Sequence, residues 1–220
     1  MRNVVVGTEA AAVAGLRDGH VVMVGGFGGA GLPRSIIKAV AELGVRDLTV
    51  ISNNAGAGGD DLSLWFRQRM VRKIICSYPR SAKDFTLQYR AGTVELELLP
   101  QGTLVERIRA GGAGLGGFLS PVGVGTVFER GKEKITVGGR DFLLELPLRA
   151  DFALVKGRTA DTLGNVTYNK AARNHCAVMA TAADIVTVEV DRIVEAGGLD
   201  PESIVTPCIF VDRVFARAVA

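Results

Sequence analysis

The stretch DGHVVMVGGFGGAGLP, Asp18 to Pro33, decides how the rest of the 220-residue chain is read. Val21 to Val24 is a short apolar run, rich in β-branched residues, of the kind that forms a buried strand. The second half is almost bare backbone. Gly25, Gly26, Gly28, Gly29 and Gly31 remove side chains, permit positive φ and let a ligand approach exposed N–H groups. Pro33 then suits the first turn of a helix, where its missing N–H costs nothing. Strand, glycine loop and helix N-terminus in that order favour negative charge or a developing oxyanion. Many β–α turns are glycine-rich only because the chain reverses tightly, so the loop alone does not define a function. No Lys-Ser or Lys-Thr pair ends it as in a P-loop. Gly26-Phe27-Gly28-Gly29-Ala30-Gly31 matches G-x-G-x-x-G by letter, with Glu42 and Asp47 as the acidic candidates downstream, and a dinucleotide site stays open as an alternative.

Working outward, Thr8 caps a first helix through Ala10, Val13 and Leu16, which Gly19 ends. Arg34 to Leu43 places Ile36, Ile37, Val40 and Leu43 on one helical face, with Gly44 as the C-terminal cap. Leu48 to Ser52 forms a second strand and runs into the loop Asn53 to Gly59. Asp60-Asp61 starts a helix carrying Leu62, Trp65, Phe66 and Arg69. A strand Lys73 to Ser77, a helix Ser81 to Ala91 and a strand Val94 to Leu99 follow, then Pro100-Gln101-Gly102 before a helix Thr103 to Arg109. Four β–α units in a row mean parallel strands, and the loops after the first, second and fourth lie at the ligand-binding edge of such sheets.

Beyond this the rhythm breaks. Gly111 to Gly125 is a glycine-rich segment expected to pack against a ligand or partner. Lys134 to Val137, Gly138-Gly139 and Arg140 to Glu145 read as a β-hairpin. A strand Asp151 to Val155, a helix Lys170 to Ala183, and strands Ile185 to Val190 and Cys208 to Phe215 complete the sheet. The expected fold class is α/β: a single open, mostly parallel sheet flanked by helices, with a β-hairpin insertion, in one domain covering 1–220.

Composition narrows the function classes. Hydrophobic content is 48%, yet no apolar run approaches the roughly 18 residues of a membrane span, and the N-terminus lacks a signal-peptide core. A soluble cytoplasmic protein is expected. Cys76, Cys176 and Cys208 are odd in number and show no C-x-x-C spacing, so neither a disulfide framework nor a zinc site is indicated. A net charge of +3, with basic residues scattered among acidic ones, implies no nucleic-acid partner.

The residues available for chemistry are mostly hydrogen-bond donors. His20 lies in a strand-forming run and His175 on an expected helix, each reading as packing or surface, and no G-x-S-x-G or metal-ligand spacing accompanies them. By contrast, the loop amides of Gly26 to Gly31 and the side-chain amides of Asn53, Asn54 and Gln101 sit at one sheet edge, where they can converge on an oxygen or carboxylate. The result is half a site: carbonyl or carboxylate stabilisation without a nucleophile.

Asp18-Gly19, Gly25-Gly26-Phe27, Gly31 and Pro33 resemble the signature loop of the A-type chain of the family I 3-oxoacid coenzyme A transferases. Ser52-Asn53-Asn54-Ala55-Gly56, Pro100-Gln101-Gly102-Thr103-Leu104, Arg109 to Gly114, Gly123 to Thr126 and Ala172-Arg173-Asn174 are similar to that family in the same order. The resemblance implies CoA transfer through an acyl-enzyme anhydride and a glutamyl-CoA thioester. The nucleophilic Glu would stand in a Ser-Glu-Asn-Gly motif on a separate B-type partner subunit, and this chain has no such motif. It further implies that Asn53 and Gln101 orient a substrate oxygen. Gly25, Gly26, Phe27, Gly28, Gly31, Asn54 and Gly102 would bind substrate. No bound cofactor is implied; the CoA thioester is a substrate, and an A2B2 assembly with the B-type CoA-transferase partner is expected. Ile51 to Gly56 and Cys76 to Arg80 look most like members acting on 3-oxoadipate with succinyl-CoA, with acetoacetate-using members as the alternative. Arg34, Val122 and His175 replace a frequent Glu, Thr and Phe, which bears on the substrate, and Arg34 or Arg80 is a candidate for a second substrate carboxylate. Two other classes remain as rivals: a nucleotide-dependent enzyme using Gly26 to Gly31, and a non-catalytic scaffold of the same fold.

Overall fold

The computed structural model describes residues 2–79 and 82–217. The first half of the chain alternates strand and helix: α1 (Glu9–Ala12), β1 (Val21–Val24), α2 (Arg34–Leu43), β2 (Leu48–Ser52), α3 (Ser63–Arg67), β3 (Val71–Cys76), α4 (Lys83–Arg90), β4 (Glu95–Leu98) and α5 (Gln101–Gly112). The middle holds β5 (Phe118–Ser120), β6 (Lys134–Val137) and β7 (Arg140–Glu145). The last third adds β8 (Ala150–Lys156), β9 (Thr159–Asp161), β10 (Val166–Thr167), α6 (Cys176–Met179), β11 (Ala183–Val190), β12 (Arg192–Val194) and β13 (Arg213–Ala216).

Seven strands form one sheet in the order β13-β11-β8-β1-β2-β3-β4, and every neighbouring pair is parallel. Parallel sheets are covered on both faces, and the period-2 alternation shows it here. Val22, Val24, Val50 and Ile74 pack into a core with α2, α3 and α4. Met23, Ile51 and Ile75, one residue out of phase, pack into a second core with α5 and α6. The strand order reverses direction at β1, which has β2 on one side and β8 on the other, so the glycine loop sits at the switch point of the sheet.

Trp65 locks α3 onto α2. It is fully buried, and its indole N–H donates to the Ile37 carbonyl at 2.8 Å. Trp65→Ala is expected to cost roughly 3–5 kcal/mol by cavity formation. At roughly 2–4 °C per kcal/mol for a chain of this size, the melting temperature should drop by about 6–20 °C; a drop under about 3 °C would mean the site repacks.

Several expectations are corrected. The first helix ends at Ala12 rather than continuing through Leu16; Val13 caps it, and Gly15 follows at φ 85°. Arg69 lies past the end of α3 at φ 55°. Helix α5 begins at Gln101, directly after the extended Pro100, and runs through Gly111 and Gly112. Those two glycines, expected in a glycine-rich segment after the helix, lie within it and serve close approach: a Cβ on Gly111 would lie 2.0 Å from the Leu148 carbonyl oxygen, and one on Gly112 would lie 2.1 Å from Thr181 Oγ1. The segment beyond them contributes β5, which pairs with the expected Gly138-Gly139 hairpin as a three-stranded sheet β5-β7-β6. The expected helix Lys170 to Ala183 is split into a 3₁₀ turn, Lys170–Arg173, and α6 by Asn174 at φ 18°, ψ −116°. Cys208–Phe210 is likewise a 3₁₀ turn ahead of β13. The short sheet β10-β9-β12 carries no periodic signal long enough to register in the sequence.

Candidate active site

Four loops at the C-terminal ends of β1 to β4 enclose a cleft of about 430 Å³. Phe27 and Gly28 line it from the loop after β1, Asn53 and Asn54 from that after β2, Ser77 and Tyr78 from that after β3, and Gln101 from the start of α5. Phe27 and Tyr78 are each more than half exposed, giving the cleft two uncovered aromatic walls. The Asn53 carbonyl ties two of the loops together by accepting the N–H groups of Ser77 at 3.2 Å and Tyr78 at 3.0 Å.

The side-chain amides form a chain whose direction is set at one end. The Gly56 backbone N–H can only donate, and it meets Asn54 Oδ1 at 2.8 Å. Asn54 Nδ2 is therefore the donor to Asn53 Oδ1, at 3.3 Å. Asn53 Nδ2 in turn donates to Gln101 Oε1 at 2.9 Å and to Ser77 Oγ at 3.2 Å. The Ser77 hydroxyl also donates to Gln101 Oε1. Both Asn53 amide hydrogens are thus engaged inside the protein, whereas Gln101 Nε2 has one neighbour among the described residues, His175 Nε2 at 3.1 Å, and keeps a second hydrogen free. Asn53 and Asn54 are buried, while Gln101 is exposed at the cleft.

The glycine loop is held from within the chain. Asn174 Oδ1 accepts from Gly26 N–H at 3.2 Å and from His175 N–H at 2.7 Å, while its Nδ2 donates to the Ala30 carbonyl at 3.1 Å. The N–H of Phe27 pairs with the Ala30 carbonyl. The close approach at Gly25 and Gly31 is to the 172–176 segment of the same chain: added Cβ atoms would meet Cys176 Sγ at 2.5 Å and the Ala172 carbonyl oxygen at 2.4 Å. Gly28 has open space around it and lines the cleft; Gly102 sits exposed in the first turn of α5. The loop therefore brings Phe27 and Gly28 to the cleft, while Gly25, Gly26 and Gly31 anchor it.

The anion seat expected at the N-terminus of α2 is already filled. Glu189 on β11 is 1% exposed, and its Oε2 accepts the N–H groups of Ser35 at 2.9 Å and Ile36 at 3.2 Å. Burial pushes its pKa up, opposed chiefly by the Ile36 N–H and by Lys156. With a carboxylate of its own at that terminus, the chain has no room there for a nucleotide phosphate, which removes the main physical support for the dinucleotide alternative. Arg34 donates to the Asp60 carbonyl at 3.0 Å and borders a separate crevice with Gly29, Lys156 and Asp191, not the cleft. Arg80 lies outside the described residues.

Two residues of this constellation carry no chemical mark in the sequence. Ser77 falls inside the Cys76 to Arg80 stretch but is not singled out there as a donor. His175 reads there as packing or surface, yet it is 3% exposed, hydrogen-bonded to Gln101 and stacked on Phe27 with ring centroids 6.1 Å apart and planes 10° from parallel. Burial lowers its pKa, with the Gly26 backbone opposing the shift. The two buried thiols do not compete as nucleophiles: burial pushes Cys76 up to about 12 and Cys176 up to about 11.

The parallel sheet flanked by helices is a fold shared with solved CoA-transferases. An E. coli O157:H7 acyl-CoA transferase (YdiF) superposes with a TM-score of 0.88 at 21% identity over 98% of this chain, which spans 47% of that protein's length. The model of the Coenzyme A transferase family matches residues 7–217, and the chain belongs to that family. It is an A-type subunit of a CoA-transferase, an enzyme that takes CoA thioesters as substrates. The A-type chain of the 3-oxoadipate CoA-transferase of Pseudomonas putida is 51% identical over 94% of this chain and 90% of its own length. The alpha chain of the acetate CoA-transferase of E. coli K12 is 48% identical over 90% of each. Relatives named as subunits imply a partner subunit for this chain as well. Among the described residues, no helix is long and apolar enough to cross a membrane.

Proposed function

We propose that this chain is the A half of an A2B2 transferase that moves CoA from succinyl-CoA to 3-oxoadipate. The observation that carries the reading is the lining of the cleft: amide and hydroxyl donors between two aromatic walls, with no carboxylate among the described lining residues. Such a surface stabilises charge on a substrate oxygen and leaves the nucleophile to the partner. In this reading a Glu of the partner subunit attacks the thioester carbonyl, CoA thiolate leaves, and an anhydride forms. The thiolate then attacks the glutamyl carbonyl of the anhydride and expels succinate, giving the glutamyl-CoA thioester, from which the acceptor acid takes CoA by the same two steps in reverse.

Within that sequence Gln101 offers its free Nε2–H to the oxygen that gains charge, and the unused Asn54 Nδ2–H and the Gly28 N–H lie on the same cleft. Asn53 holds Gln101 in place instead of donating itself. Phe27 and Tyr78 form the acyl wall. The 3-oxoadipate assignment is supported by the Pseudomonas putida relative, while the similarly close acetate relative keeps a short-chain acid such as acetoacetate as the competing acceptor.

The test is CoA transfer from succinyl-CoA to 3-oxoadipate and to acetoacetate, with this chain alone and with its partner subunit. Activity only in the mixture, with the higher kcat/KM on 3-oxoadipate, is the expected result. Activity of the chain alone would place the nucleophile on one of its own carboxylates and overturn the division of labour; a preference for acetoacetate would change the substrate.

A further inference from the structure

The amide chain that starts at Gly56 ends on an imidazole. Because Gln101 Oε1 is the acceptor of the Asn53 and Ser77 hydrogens, its other terminus, Nε2, is the donor that meets His175 Nε2 at 3.1 Å. A donor facing that ring nitrogen requires it to be unprotonated, so the imidazole is neutral with its hydrogen on Nδ1. Nδ1, which then carries the hydrogen, is a buried atom with no hydrogen-bond partner at bonding distance among the described residues, and the Gly26 backbone is the group that acts on the ring. A histidine that served only to satisfy itself would place its one N–H on an acceptor. Here the N–H is left unmatched and the lone pair is presented to Gln101, at a cost comparable to a lost hydrogen bond.

His175 does not line the cleft, but it touches two residues that do, hydrogen-bonding Gln101 and stacking on Phe27. We infer that His175 is a positioning residue, the terminal acceptor that pins the Gln101 carboxamide in one orientation so that its second Nε2–H is the one offered to substrate. The inference rests on the role given to Gln101 in the proposed transfer reaction. Without the acceptor, only the Asn53 and Ser77 donors at Oε1 oppose rotation of Gln101 about its terminal bond, a rotation that would present its oxygen to the substrate oxygen in a repulsive contact. With His175 protonated, two donors face each other and the same orientation is lost.

The pH dependence has a defined sign. Burial holds the imidazole below its ordinary range, so the neutral form persists through neutral pH and turnover falls only as the medium becomes acidic. The groups facing His175 from the elements packed on it, Phe27 from the glycine loop and Gln101 from α5, do not titrate. On its own segment the ionisable neighbours are Cys176, whose thiol burial keeps neutral, and Arg173. Lys156 acts on Cys176 from the end of β8.

The experiment compares His175→Phe and His175→Gln in the assembled two-subunit enzyme, following kcat, KM and the acid limb of the kcat profile. Phenylalanine keeps the stack on Phe27 and removes the acceptor; glutamine supplies an acceptor oxygen that does not titrate. His175→Phe should lower kcat by about tenfold, the size of one lost hydrogen bond, with KM little changed and the acid limb flattened. His175→Gln should recover kcat to within about threefold of wild type, also without the acid limb. An unchanged acid limb in both variants, or a glutamine variant as slow as the phenylalanine one, would overturn the assignment. Gln101→Ala, measured beside them, separates the two roles. A slow Gln101→Ala together with a fully active His175→Phe removes only the role of His175, whereas an unimpaired Gln101→Ala removes the underlying reading of the cleft and this inference with it.

Discussion

Gly31→Ala should abolish transfer in the assembled enzyme and unfold it at a markedly lower temperature. The added Cβ would sit 2.4 Å from the Ala172 carbonyl oxygen and 2.8 Å from Asn174 Nδ2, and Gly31 holds φ +73°, which side chains disfavour. The nearest atom is backbone and has no rotamer by which to escape. Either the glycine loop or the 172–174 segment must move, and each movement breaks the Asn174 clamp on Gly26. We expect a loss of roughly 2–4 kcal/mol of stability, a drop of about 5–15 °C in melting temperature, and a fall in kcat of more than about a hundredfold. Gly28→Ala is the internal comparison. It shares a positive φ of +58° but has open space for its Cβ, so it should retain most of its stability. Equal melting temperatures for the Gly31 variant and wild type would show that the 172–174 segment yields without cost.

The second large effect is at Gln101. Gln101→Ala removes the free N–H proposed to meet substrate, and it leaves Asn53 Nδ2 and His175 Nε2 each short of a partner. Removing one preorganised donor typically costs at least an order of magnitude in turnover, and we expect kcat to fall by more than about tenfold with a smaller change in KM. Gln101→Glu should fall at least as far, since it replaces the donor by an oxygen that faces developing negative charge. Unchanged kinetics for either variant would remove Gln101 from the transition state.

The β–α rhythm is legible in the sequence because it is local. Alternating apolar runs, helical spacing in Arg34 to Leu43 and glycine punctuation each act over a few residues, and the loops they delimit carry Phe27, Asn53, Asn54 and Gln101 to one edge. What stays illegible is long-range. The contact of Gln101 with His175 spans 74 positions, and a single histidine in a helical pattern carries no mark of it. Gly111 reads as the start of a glycine-rich segment because a close approach to Leu148 within a helix and a loop use the same letter. The α2 terminus reads as open because nothing near it in the chain shows that Glu189, 154 positions from Ser35, fills it.

The filled terminus and the clamped loop also set the order in which the molecule assembles. The glycine loop is complete in sequence by Pro33, yet the groups that shape it arrive far later: Asn174 stands 148 positions after Gly26, and Glu189 stands 154 after Ser35. Closing loops of that length carries an entropic cost that must be met before the contacts return it, so the loop cannot take its final form beside the nascent first strands. It waits for β8, α6 and β11 to dock on the far side of β1. The earliest-made part of the binding edge is thus among the last to become competent, and a ribosome-bound or truncated chain that stops short of Asn174 carries the signature loop without the geometry that gives it meaning.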